Sequence, residues 1–151
     1  MTDVAIIDYN MGNLYSIDCA LKYVGLKSKI TDDLDIIKKS KCLILPGVGA
    51  FPEAMKRLKE KKLDLAIKNF NQDKKPIIGI CLGMQLLFNN SNENGSTTGL
   101  GLLDGEVKKF NLKDKENNIK TFNVGWRKIL LNKKIIENNS LNKDNNNLMY
   151  F

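Results

Sequence analysis

The sequence predicts a three-layer α/β fold built on a mostly parallel sheet, and three observations lead there. Short apolar runs recur through the first ninety residues, among them VAIID, CLIL and PIIGI. Stretches with helical spacing stand between them, and Gly, Pro or Asn closes most runs. Runs that are apolar throughout, rather than alternating, suit strands buried on both faces by crossover helices.

Taken in order, residues 4–8 read as a buried strand ended by turn residues. Leu14, Ile17, Leu21 and Val24 recur at helical spacing, and Gly25 stands where a helix stops. Residues 27–31 predict a second strand and residues 33–39 a weak helix. CLIL, residues 42–45, predicts a third strand stopped by PGVG. Residues 52–70 predict one long helix, with Pro52 tolerated in its first turn. PIIGI predicts a fourth strand, and GMQLLF opens the next helix. NNSNENGSTTG reads as a polar loop. LLDGEVKKF and IKTFNVGWRKILL alternate and suggest a pair of extended strands, NKDNNN reads as a loop, and LMYF as the opening of another strand. There is no internal repeat.

With 151 residues, 42% hydrophobic and 27% charged, the chain suits one ordinary domain, residues 1–151, with a real core. No run approaches the ~18 apolar residues of a membrane span. The N-terminus carries no basic n-region before its first apolar run, so a cytoplasmic protein is expected. The net charge of +7 comes from 22 lysines spread along the chain with only two arginines, Arg57 and Arg127. Nucleic-acid readout favours arginine forks gathered on one face, so no nucleic-acid partner is expected. Cys19, Cys42 and Cys81 form no CxxC pair and read as free thiols. The 151 residues contain no histidine, which leaves too few ligands for a zinc site, and no metal or cofactor is expected.

Cys81 carries the chemistry. It lies in GICLGMQ, and G-x-C-x-G between a strand and a helix has the form of a nucleophile elbow. Small flanking residues permit the tight turn that lifts the side chain clear of the sheet. The following helix N-terminus favours thiolate, and the Leu82 N–H would face an oxyanion formed on an attacked carbonyl. The plainer reading is a small buried cysteine. PGVG, residues 46–49, follows the preceding strand and so reaches the same carboxyl edge of the sheet, where open α/β folds bind ligands. Its glycines leave N–H groups approachable, making Val48 and Gly49 a candidate second oxyanion donor, although a plain strand-to-helix turn accounts for PGVG taken alone. It matches neither a GK[ST] phosphate loop nor a GxGxxG fingerprint, which counts against a nucleotide-binding flavodoxin-like domain. Gln85, one turn after Cys81, could hydrogen-bond a polar substrate. Glu93 could bind an amino group. Singly, each also reads as an ordinary surface residue.

IIDYNMGNL, LILPGVGAF, GICLGMQLLF and GLGLLDGEV, in that order and spacing, resemble the glutamine amidotransferase subunits of imidazole glycerol phosphate synthases, a branch of the triad-type class I amidotransferases. NVGWRKI fits less closely. The resemblance implies that Cys81 attacks the glutamine side-chain amide to form a thioester. It implies that Leu82 and the Val48–Gly49 loop hold the oxyanion, and that Gln85 and Glu93 bind glutamine. Ammonia would pass to a (βα)8-barrel partner in a heterodimer serving histidine biosynthesis, with Asn13 and Trp126 near the interface.

In this family the base is a histidine just after a strand reading like YF, and Phe151 ends the sequence at that point. The expectation is therefore a domain incomplete at its C-terminus, lacking the last strands and the base, marginally stable and inactive alone. Phe122, Asn123 and Arg127 also stand where the family usually has a Pro-His pair and an Asn. A paralogous branch, feeding ammonia to a sugar amidotransferase in surface-polysaccharide synthesis, resembles this pattern and is the alternative acceptor. A non-catalytic module that only docks on the barrel is the alternative of another class.

Overall fold

The computed structural model describes residues 2–109, 124–128 and 148–150. The chain divides into two units, Met1–Lys109 and Phe110–Phe151.

In the first unit, β1 (Val4–Ile7), β2 (Ser28–Thr31), β3 (Cys42–Leu45) and β4 (Ile77–Gly79) form a sheet in the order β2-β1-β3-β4. Every pairing is parallel. β1, at the centre, is buried at all four positions, as its uninterrupted apolar run requires. β4 lies at the edge, and Ile78 is 50% exposed. The helices are α1 (Leu14–Tyr23), α2 (Leu34–Lys39), α3 (Phe51–Glu60), α4 (Leu63–Gln72) and α5 (Leu82–Leu86). The α/β class and the parallel sheet thus agree with expectation.

Local signals set the helix ends. Asn13 caps α1 by accepting from Ser16 N–H, and Asp33 caps α2 by accepting from Asp35 and Ile36. Gly25, at φ +80°, closes α1 in a Schellman turn, with Leu26 N–H bonded to Leu21 O and Gly25 N–H to Lys22 O. The stripe on α1 is less buried than its spacing suggested: Val24 lies beyond the helix and is exposed.

The expected long helix over residues 52–70 is two helices. Lys62 adopts a left-handed conformation at φ 57° and starts α4 anew. The apolar stripe explains the break. Phe51, Ala54, Met55 and Leu58 are buried on α3, and helical spacing would next bury Lys62. The turn re-phases the chain so that Leu63, Ile67 and Phe70 enter the core instead.

One further expectation needs correction. NNSNENGSTTG is not a loop throughout: β5 (Phe88–Ser91) and β6 (Thr97–Thr98) pair antiparallel across it, with Gly95 at φ +107° in the turn. LLDGEVKKF holds a strand as expected, β7 (Leu103–Val107). It runs parallel to β5. In the second unit β8 (Trp126–Lys128) pairs antiparallel with β9 (Leu148–Tyr150), so LMYF does open a strand. NKDNNN, Phe122 and Asn123 lie outside the described residues. No helix among the described residues is long and apolar enough to cross a membrane.

Candidate active site

Cys81 forms the corner between β4 and α5. Its backbone stands at φ 54°, ψ −119°, a conformation that L side chains rarely adopt. The surroundings leave little choice. Ile80 N–H bonds Leu45 O at 3.0 Å, tying the end of β4 to β3, and Met84 N–H returns to Cys81 O at 3.0 Å. Between these anchors the chain must reverse within one residue, and the cysteine side chain is left exposed.

Both flanking glycines are sterically required. A Cβ on Gly79 would lie 2.5 Å from Met84 Cα, and one on Gly83 would lie 1.8 Å from Leu45 O. α5 therefore packs backbone to backbone on the end of β3. Gly47 completes the contact: its Cβ would meet Tyr9 Oη at 2.5 Å and Gly83 N at 2.9 Å. The carboxyl ends of β3 and β4 thus hold PGVG and the Cys81 turn against each other.

Val48 is exposed, and Gly49 stands at φ +112°. No acceptor among the described residues takes the backbone N–H of Val48, Gly49 or Leu82. These are the three groups that sequence reasoning named as oxyanion donors.

Gln85 and Glu93 come together. Both line a cleft of about 490 Å³, with Ser91, Asn92, Lys108 and Lys109 among its other walls. Cys81 does not line this cleft; it stands one helical turn before Gln85, whose N–H reaches Cys81 O at 3.3 Å. Glu93 has a second engagement that its spacing did not announce. Its Oε2 accepts the Phe51 N–H at 2.8 Å, capping α3, where Ala50 offers no side-chain cap. Lys108, on the cleft wall, pairs with Glu106 at 3.2 Å.

Asn13 is exposed at the start of α1, and its side chain is engaged in the cap. Trp126 is 65% exposed on β8 in the second unit. Among the described residues no cluster of three or more His, Cys, Asp or Glu could hold a metal ion.

Sequence reasoning missed Tyr9. It is fully buried, and its hydroxyl donates to Pro46 O at 2.6 Å. Burial, and secondarily the charge of nearby Cys81, holds the phenol well above its ordinary pKa, so it remains a donor. In the sequence Tyr9 is simply a large residue after an apolar run, with nothing to reveal a partner 37 positions away.

A strained cysteine on a strand–helix corner, glycines on both sides and, in the adjoining PGVG turn, amides with no acceptor among the described residues define a nucleophile-elbow α/β protein. The family model for glutamine amidotransferase class-I matches residues 5–143, and the chain belongs to that family. It is 47% identical over 126 residues to the imidazole glycerol phosphate synthase subunit HisH of Sulfurimonas denitrificans, covering 83% of this chain and 61% of that protein. The subunit of the same name from Bacillus cytotoxicus is 46% identical over 132 residues, 87% of this chain and 61% of that one. The counterpart from Listeria monocytogenes serotype 4a is 45% identical over 126 residues, 83% and 59%. The chain spans about 60% of the length of these curated relatives. A solved glutamine amidotransferase matches with a TM-score of 0.60 at 22% identity, covering 70% of this chain and 55% of the other, a likeness of fold.

Proposed function

We propose that this chain is the glutamine-hydrolysing part of an imidazole glycerol phosphate synthase, acting in the cytoplasm in histidine biosynthesis. The observation that carries the reading is the strained Cys81 corner packed against PGVG, whose Val48 and Gly49 N–H groups find no acceptor among the described residues, within a chain nearly half identical to subunits of that name.

Cys81 Sγ adds to the side-chain carbonyl carbon of L-glutamine, and the oxygen becomes an oxyanion. The N–H groups of Leu82, Val48 and Gly49 are available to receive it, since none has an acceptor among the described residues. Collapse expels ammonia and leaves a glutamyl thioester, which water hydrolyses. Gln85 and the Glu93 oxygen not bonded to Phe51 hold the glutamine head. Ammonia passes to a (βα)8-barrel synthase subunit, docked near Asn13 and Trp126 in a heterodimer.

Proton transfer in both steps needs a general base, a role worth about 10²–10⁴ in rate. The 151 residues offer no histidine for it. We therefore expect glutamine turnover by this chain, alone, to lie lower by about that factor than in a histidine-containing relative. Added imidazole should raise turnover in proportion to its free-base concentration, and Cys81→Ala should abolish the rise. Imidazole-dependent hydrolysis that survives Cys81→Ala, or none at all, would overturn the assignment of Cys81.

A further inference from the structure

We propose that Tyr9 is a positioning residue for the nucleophile: its buried hydroxyl latches the Pro46–Gly47 peptide and so holds PGVG in register with the Cys81 turn. The inference rests on the reading of Cys81 as the nucleophile.

One hydrogen bond and two close backbone approaches run from the segment after β1 to PGVG. Tyr9 Oη–H bonds Pro46 O at 2.6 Å. A Cβ on Gly12 would lie 3.3 Å from Pro46 Cβ, and one on Gly49 would lie 2.8 Å from Met11 Cε. Only the first is directional. It also sits beside the close approach of PGVG to α5, because Tyr9 Oη, Gly83 N and Leu82 Cβ all lie within 2.9 Å of the position a Gly47 Cβ would take. The hydroxyl thus abuts the peptide that precedes Val48 and the first turn of the helix that Cys81 opens.

The chemistry suits a permanent latch. A hydroxyl in a fully buried site must keep its partner, since an unpaired polar group there is costly. Pro46 O is a β3-end carbonyl that accepts no ladder bond from β4, because the β3–β4 register ends at Leu45↔Gly79. Without the hydroxyl, packing would still fill the space, but nothing would fix the tilt of the Pro46–Gly47 peptide. Tyr9 touches no substrate in this scheme. It acts through the backbone that carries the oxyanion donors and through the turn that aims Sγ.

The test is Tyr9→Phe, which removes the oxygen and keeps the ring. The readout is the rate of Cys81 carbamidomethylation by iodoacetamide across pH, resolved by mass spectrometry from that of Cys19. Amide exchange at Ile80 and Gly83 is compared with exchange at Cys42 and Leu43, at the opposite end of β3. We expect Cys81 alkylation to slow about three- to tenfold at neutral pH, in line with loss of one buried hydrogen bond, while Cys19 is unchanged. Exchange should not accelerate uniformly. An unchanged or faster Cys81 rate, or equal acceleration at all four amides, would overturn the proposal, the latter making Tyr9 only a core residue. Should Tyr9→Phe fail to fold, a Cys19→Ser chain labelled with ¹³Cζ-tyrosine gives the answer. Alkylating Cys81 alone should move the Tyr9 resonance and leave Tyr23 in place, and an unmoved Tyr9 resonance would overturn the proposal. Iodoacetamide needs neither glutamine nor a base, so a failed imidazole assay would not count against Tyr9.

Discussion

At Cys81 the backbone is held at φ 54°, ψ −119°, where a Cβ costs of order 1–3 kcal/mol. Glycine visits such conformations without that cost. We therefore expect Cys81→Gly to raise unfolding stability by about 1 kcal/mol, after allowing for the greater freedom of glycine in the unfolded chain. Urea denaturation followed by circular dichroism would measure it, and a loss of stability would mean the corner is not strained. A residue that lowers stability where glycine would sit more easily is expected at a site retained for chemistry. This part of the site was legible in the sequence because the requirement is local: Gly79, Cys81 and Gly83 satisfy one turn within five positions. Tyr9 was illegible for the opposite reason. Its role depends on Pro46, which the fold rather than the spacing brings to it.

Among the elements, α3 illustrates how a binding candidate can also be part of the scaffold. Its N-terminus lacks a side-chain cap of its own, and Glu93 supplies one from the β5–β6 turn. A carboxylate at a helix N-terminus is typically worth 0.3–1 kcal/mol, and a capping bond about 1 kcal/mol. Glu93→Ala should therefore destabilise the chain by about 1 kcal/mol in denaturant titration as well as weaken glutamine binding. Loss of binding with no loss of stability would contradict the cap. α1 is tied down differently. Asp18 accepts from Lys22 Nζ and from Ser28 Oγ on β2, each at 2.6 Å. The Lys22 bond first, then the Ser28 bond, holds its carboxyl below the ordinary 3.8. A depressed folded-state pKa contributes stability that is present above the unfolded value and is lost as pH falls through the folded one. Acid titration of stability should therefore show a loss below pH 3.8 that is smaller in Asp18→Asn. Equal slopes in the two proteins would remove Asp18 from the account. β1, β3 and β4 and their parallel sense were readable because their runs are apolar throughout, whereas β5 and β6 lie in a polar stretch. The α3–α4 break was not readable, because Lys62 has no turn signature and only the phase of the stripe, Leu58 to Leu63, demands it.

For the molecule as a whole, the proposed heterodimer gives the clearest prediction. Trp126 is the only tryptophan, and it is 65% exposed on β8. Large aromatic residues that become buried at an interface tend to dominate its affinity, and truncating one often costs 2 kcal/mol or more. If Trp126 docks on the barrel subunit, adding that subunit should shift its fluorescence to shorter wavelength in a saturable titration. Trp126→Ala should weaken the complex by about thirtyfold, the equivalent of ~2 kcal/mol. Asn13 presents a small side chain already engaged in capping α1, so Asn13→Ala should cost less affinity than Trp126→Ala. It should also cost about 1 kcal/mol of stability through the lost cap. Saturable binding with unchanged Trp126 emission would place the interface elsewhere on the molecule. A fluorescence shift that survives Cys81→Ala would establish that docking and hydrolysis are separable, as they must be if the chain can hold its partner without turning over glutamine.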